Sequence, residues 1–185
     1  MVKRDLITQI LLIVLALLVA VALRLFVFEP HTVASSQANA FISSQDYLLV
    51  TKLSLPKHKD LVLYEVDGKR YVGRVIATSG DTVVYMDDIL YLNHHAEQEA
   101  YLYELRQAFF KSQPSETAFT ADFTSETLAQ TEMGYLPEHH FLILNDDRQN
   151  QQDSRTFGLI SRSQIVGVLS FRLLPLDKFG FLDVE

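Results

Sequence analysis

Ser35, Ser36, Ser43 and Ser44 flank Gln37 within the stretch FEPHTVASSQANAFISSQDYLLVTK, residues 28–52. A serine hydroxyl attacks an amide carbonyl only when an adjacent base removes its proton. Ser35, Ser36, Ser43 and Ser44 are the candidate nucleophiles on that chemistry, and His31, His58 and Lys52 are the conceivable bases. A histidine base is ordinarily oriented by a carboxylate, and no carboxylate is visibly placed to orient either histidine. A lysine base needs burial that lowers its pKa. The chain has no cysteine, so thiol nucleophiles, disulfides and thiolate metal sites are excluded. His94-His95 and His139-His140 are adjacent pairs. Neighbouring residues on a strand point to opposite faces, so each pair is a poor chelator and reads as a solvated turn. Neither a metal nor a cofactor is expected.

The elements that must carry these residues begin with a hydrophobic segment. Lys3, Arg4 and Asp5 precede an uncharged run from residue 6 to 23, and after Arg24 the apolar character continues to Phe28. At 1.5 Å per residue such a run crosses a hydrocarbon core of about 30 Å. Ala20-Val21-Ala22 fits the small-x-small pattern of a signal-peptide cut. The run is longer than a signal peptide requires and hydrophobicity resumes past the cut, so a retained single-pass anchor is the expectation. Lys3 and Arg4 put the N-terminus in the cytoplasm and residues 29–185 outside.

Beyond Pro30, residues 31–40 read as extended chain or loop. Apolar, β-branched or alternating runs at 47–52, 60–65, 69–76, 82–86, 89–93, 141–144 and 165–173 read as short strands. Asp67-Gly68, Gly80-Asp81 and Asp87-Asp88 supply turns between them. Residues 96–111 carry helical spacing at Leu102, Leu105 and Phe109. Residues 94–134 are therefore expected to be an insertion with one helix and looser peptide. The fold class is mainly β, a coiled sheet or sandwich behind one transmembrane helix. A net charge of −7 with scattered basic residues excludes a nucleic-acid binder, which needs a concentrated basic face.

Four segments in order then carry a resemblance. They are Phe28-Glu29-Pro30 after the span, the strand Leu48-Leu49-Val50-Thr51-Lys52, YVGRVIATSGD at 71–81, and NDDRQNQQDSRTFG at 145–158. Together they resemble the conserved boxes of type I signal peptidases, the S26 family, across nearly the whole chain except 94–134. The C-terminal FGLISRSQIVGVLSFRLLPLDKFGF is similar to the closing strand and tail of Gram-positive members. The resemblance implies a serine–lysine dyad that cleaves signal peptides at the outer membrane face. A gapless match puts the serine position on Gln37, the lysine position on Gly73 and a helper serine on Gln151. A carboxamide cannot form an acyl-enzyme and glycine offers no base.

What the resemblance further implies is a peptide-binding cleft with walls at 31–41 and 69–74, including Val33, Ser35, Ser36, Gln37, Ala38, Tyr71 and Gly73. Ser35 matches a position that contributes to the oxyanion hole in some members. Asp146, Arg148, Asp153, Ser154, Arg155 and Gly158 match the box that braces the loops behind the site. With both dyad positions changed, the chain resembles the catalytically defective signal peptidase-like proteins of Gram-positive pilus gene clusters. By that resemblance its partners are pilin subunits and a sortase, and its role is that of a chaperone or scaffold. An active signal peptidase using Ser36 is the alternative.

Overall fold

The computed structural model describes residues 2–39, 41–112, 117–129 and 134–182. It opens with helix α1 (Val2–Phe26), of which Leu6–Phe26 has mean hydropathy 3.0 and buries nothing against the rest of the protein. Twenty-one such residues extend about 32 Å, long and apolar enough to cross a membrane. The helix stops earlier than the hydrophobic run. Phe28 belongs to a strand, because its segment pairs in register with the next one.

Strands β1 (Phe28–Thr32), β2 (Tyr47–Thr51), β3 (Leu61–Val66), β4 (Lys69–Ala77), β9 (His140–Leu144), β10 (Ile160–Ser161), β11 (Ile165–Leu174) and β12 (Gly180–Phe181) make the larger sheet. Its order is β1-β2-β11-β3-β4-β9-β10, with β12 on β11. Pairing is antiparallel throughout. The β3–β4 hairpin turns on Asp67 and Gly68, both at positive φ, the backbone that two-residue hairpin turns demand. Leu61, Val62, Leu63 and Tyr64 are all buried, so β3 is covered on both faces. Leu61 and Leu63 pack with Val33, Ile42, Leu48, Val50 and Val72 on one side. Val62 and Tyr64 pack with Val75, Phe141, Ile143 and Ile160 on the other.

A second sheet has the order β7-β6-β5-β8, from β5 (Val83–Met86), β6 (Ile89–Leu92), β7 (His95–Glu97) and β8 (Phe123–Thr124). The helix expected over 96–111 begins later. Asn93 and His94 turn at positive φ and send His95–Glu97 back along β6. A 3-10 turn at Ala100–Leu102 follows, and α2 (Tyr103–Ser112) starts only then. The polar stretch after it is more ordered than its composition suggests, because Phe119 is buried with Leu102 and Phe109, and Phe123 stacks on Tyr85 in β8. Residues 113–116 and 130–133 of that stretch lie outside the described residues. Two short helices complete the fold, α3 (Ser125–Ala129) and α4 (Ser154–Phe157).

Candidate peptide-binding cleft

The residues ahead of Gln37 are held as a continuation of β1. Val33 N–H donates to Asp46 O, and Gln45 N–H donates to Val33 O, each at 2.9 Å. The Val33 side chain is core, with 1% of its surface exposed. A 3-10 turn at Ser35–Gln37 then closes through Gln37 N–H to Ala34 O. The Gln37 carboxamide is engaged at both its oxygen and its nitrogen. Its Oε1 accepts from Ala34 N–H at 3.0 Å and lies 2.9 Å from His31 Nε2, while its Nε2 donates to Arg70 O at 3.0 Å.

That last bond touches an open strand edge. β4 pairs with β3 from Lys69 to Arg74, but its other neighbour, β9, reaches only Arg74, Val75 and Ala77. From Lys69 to Gly73 the second edge has no strand partner among the described residues, and the Arg70 carbonyl faces it. Alternation along an antiparallel strand puts the Val72 backbone groups on the same edge. Glu29 steadies this segment from β1, pairing with Arg70 at 2.7 Å and with Lys52 at 2.8 Å. The Lys52 hydrogen bond, ahead of the Arg70 contacts, holds the Glu29 carboxyl below its usual pKa. Lys52 and His31, both conceivable bases, are thus committed to other partners.

Gly73 lies one residue deeper and is buried. A Cβ at this position would sit 2.6 Å from Ile143 Cγ2, 3.0 Å from Leu144 O and 3.4 Å from Tyr64 Cε1. Ordinary carbon–carbon contacts lie near 3.5–4.0 Å. The space beside Gly73 is therefore filled from β9.

The third wall is the loop from β9 to α4. Asp146 receives two hydrogen bonds of 2.8 Å from Arg74, with both side chains fully buried. The Arg74 guanidinium also lies 4.0 Å from the Tyr101 ring centroid and 4.9 Å from that of Phe41. Asn39 Nδ2 donates to Asp146 at 3.1 Å, which ties the segment after Gln37 to this loop. Arg148 is buried against Glu99, whose carboxylate also accepts from Tyr85 and Tyr101. Burial pushes the Tyr85 hydroxyl up to about 12. Asp153 caps α4, accepts from Asn145 N–H at 2.9 Å and grips Arg155. Ser154 Oγ accepts from Ile143 N–H, and Arg155 donates to the carbonyls of Arg148 and Asn150. Gly158 ends α4 at φ +77°.

Between these walls is a cleft of about 370 Å³ lined by Ser36, Gln37, Asn145, Asn150, Gln152 and residues 69–72 of β4. Of the residues expected there from the sequence, Ser36, Gln37 and Tyr71 line it. Tyr71 packs between Tyr64 and Phe157. Ser35 is exposed and hydrogen-bonds to Ser44, Ala38 is half-buried against the core, and Val33 and Gly73 lie below the lining. Asn145, Asn150 and Gln152 also line the cleft, beyond the residues expected from the sequence. Their signal is the box 145–158 itself, to which the resemblance assigns a bracing role. Gln151 is exposed and is not among the lining residues. His94 and His139 occupy positive-φ turns while His95 and His140 begin strands. Among the described residues no three metal-ligating side chains converge.

Comparison with known proteins matches this arrangement to one family. The family described as "Signal peptidase, peptidase S26" matches residues 6–174. Signal peptidase I of Bacillus caldolyticus is 34% identical over 171 residues, covering 90% of each chain. Signal peptidase IB of Staphylococcus aureus strain MRSA252 is 29% identical over 187 residues, covering 97% of this chain and 95% of the relative. A crystal structure of a signal peptidase I from Enterococcus faecalis V583 is 33% identical with a TM-score of 0.56, over 63% of this chain and 98% of that one.

Proposed function

The chain belongs to the signal peptidase family, peptidase S26, and on that premise we propose that it is a member that holds an extended peptide without cutting it. In this reading α1 anchors the protein with its N-terminus in the cytoplasm, and the β domain works at the outer membrane face. The open edge of β4 takes the peptide by strand addition. The role is that of a non-catalytic chaperone or scaffold in pilus assembly, with pilin subunits and a sortase as partners.

The observation that carries the reading is the pair Gln37 and Gly73. The motif resemblance assigns these positions to the nucleophile and the base. Gln37 presents a carboxamide engaged by Ala34, His31 and Arg70, and Ile143 fills the space a side chain at 73 would need. The rival reading, an active signal peptidase using Ser36, is favoured by one fact: Ser36 lines the cleft. Lysine acts as a base when burial removes its proton, and Lys69, the lysine of the same cleft, is exposed.

The test uses full-length protein in detergent with a model preprotein. Binding is measured by anisotropy and products by mass spectrometry. Binding without product is the expected result, as is co-purification with a pilin precursor and sortase. Processing that stops with Ser36→Ala would sink the proposal and establish the Ser36 enzyme.

A further inference from the structure

The hydrogen-bonding inventory of the cleft is lopsided. Asn145 Oδ1 accepts from Asp147 N–H and Asn150 Oδ1 accepts from Gln152 N–H, each at 3.0 Å. Those bonds fix both carboxamides, and they leave the two Nδ2 groups as donors with no acceptor among the described residues. The Gln152 side chain and the Ser36 hydroxyl are likewise unpaired among the described residues. Gln37 differs, because its Oε1 and one Nε2–H are already engaged by Ala34, His31 and Arg70.

The charges are lopsided in the same direction. Lys69 and Arg70 are the charged residues of the lining, and no carboxylate joins them. Arg70 is neutralised by Glu29 and Glu65. Lys69 has no ion pair among the described residues. On a chain of net charge −7, this is a local positive field in a cavity rich in amide donors. Donors that line one cleft call for acceptors, and an ionised acceptor makes the stronger bonds.

We propose that the cleft selects its extended peptide by a carboxylate seated among Asn145 Nδ2, Asn150 Nδ2 and Lys69. This rests on the peptide-binding reading above and adds the chemistry of the ligand. Gln37 contributes by exclusion. Its Nε2 occupies the Arg70 carbonyl, so an added strand finds its free backbone partners at Val72. The peptide is thereby set in one register, and its side chain or its terminus meets the donor group. A cavity of about 370 Å³ is within the size range of ligand sites.

The experiment titrates full-length protein in detergent into short, labelled, N-acetylated peptides. Three are C-terminally amidated with Glu, Gln or Ala at the central position, and a fourth is the Gln peptide with a free C-terminal carboxylate. A carboxylate should tighten binding about tenfold over the amidated Gln peptide, since charged hydrogen bonds exceed neutral ones by about 1–1.5 kcal/mol. Whichever of the Glu peptide and the free-acid peptide gains identifies the source of the carboxylate. Lys69→Gln should remove most of that gain, and raised salt should weaken it. Asn150→Ser keeps an acceptor for Gln152 N–H while removing the amide donor, and should reduce the gain as well. Equal binding of all four peptides would overturn this inference and leave peptide capture standing. Binding of none would overturn both.

Discussion

Gly73→Ala is the smallest perturbation that asks whether the space beside Gly73 is closed. The added Cβ would lie 2.6 Å from Ile143 Cγ2, about 1 Å inside normal contact. Ile143 is fully buried and its Cγ2 is a stub on a β-branched carbon, so it cannot swing away without moving β9. Overpacking of this kind costs about 1–3 kcal/mol. Gly73 has no positive φ, so alanine also gains about 0.4–1 kcal/mol by restricting the unfolded chain. The two terms leave a net loss of about 0–2.6 kcal/mol. Ile143→Ala alone should cost about 2–5 kcal/mol through its cavity. In the double variant the new methyl enters that cavity, so the two losses should fall short of their sum by about 1 kcal/mol or more. Relief is partial, because Leu144 O stays 3.0 Å from the new Cβ. The assay is urea unfolding of the full chain in detergent, followed by tyrosine near-UV circular dichroism, since there is no tryptophan. A strictly additive cycle would refute the reasoning and reopen the slot. If the coupling is found, Gln37→Ser with Gly73→Lys should acquire cleavage only after Ile143 is also trimmed.

Three further outcomes follow from the same contacts. Asp146→Ala leaves the Arg74 guanidinium buried without its carboxylate and should cost about 3–5 kcal/mol, seen as a thermal midpoint lower by on the order of 10 °C; an unchanged midpoint would contradict the burial. Gln37→Ala removes the cap on Ala34 N–H and Arg70 O and should lower stability by about 1–2 kcal/mol in a urea titration while peptide capture persists. Glu29 has a depressed carboxyl pKa, so its stabilisation is present above the ordinary value of 4.5 and is lost as pH falls from there through the folded value. The stability gap between the parent and Glu29→Gln should accordingly be full near neutrality and shrink in acid, and a gap constant with pH would count against the Lys52–Glu29–Arg70 group.

Much of the fold was legible because its signals are local. Period-2 apolar runs marked β2, β3, β4, β5, β6, β9 and β11 to within a residue or two, and Asp67-Gly68 placed the hairpin. The misread segment, 96–102, failed for a physical reason. Helical spacing at Leu102, Leu105 and Phe109 is real, but the Asn93-His94 turn and pairing with β6 claim the residues before it. Tertiary pairing overrode a periodicity that was correct only from Tyr103 onward.

The sequence by itself determined the apolar helix, the mainly β class and the family, and the motif resemblance singled out Gln37 and Gly73. Each of those depends on residue type and near spacing, which a linear chain displays. Only the tertiary structure decided what surrounds those positions. Ile143 enters the space beside Gly73 from a strand seventy residues away. Gln37 closes one rung of the β4 edge, and Asn145 and Asn150 bring free amide donors to the same cleft. Alternation tells which face of a strand a side chain takes, but which distant group it meets there depends on sheet order and register.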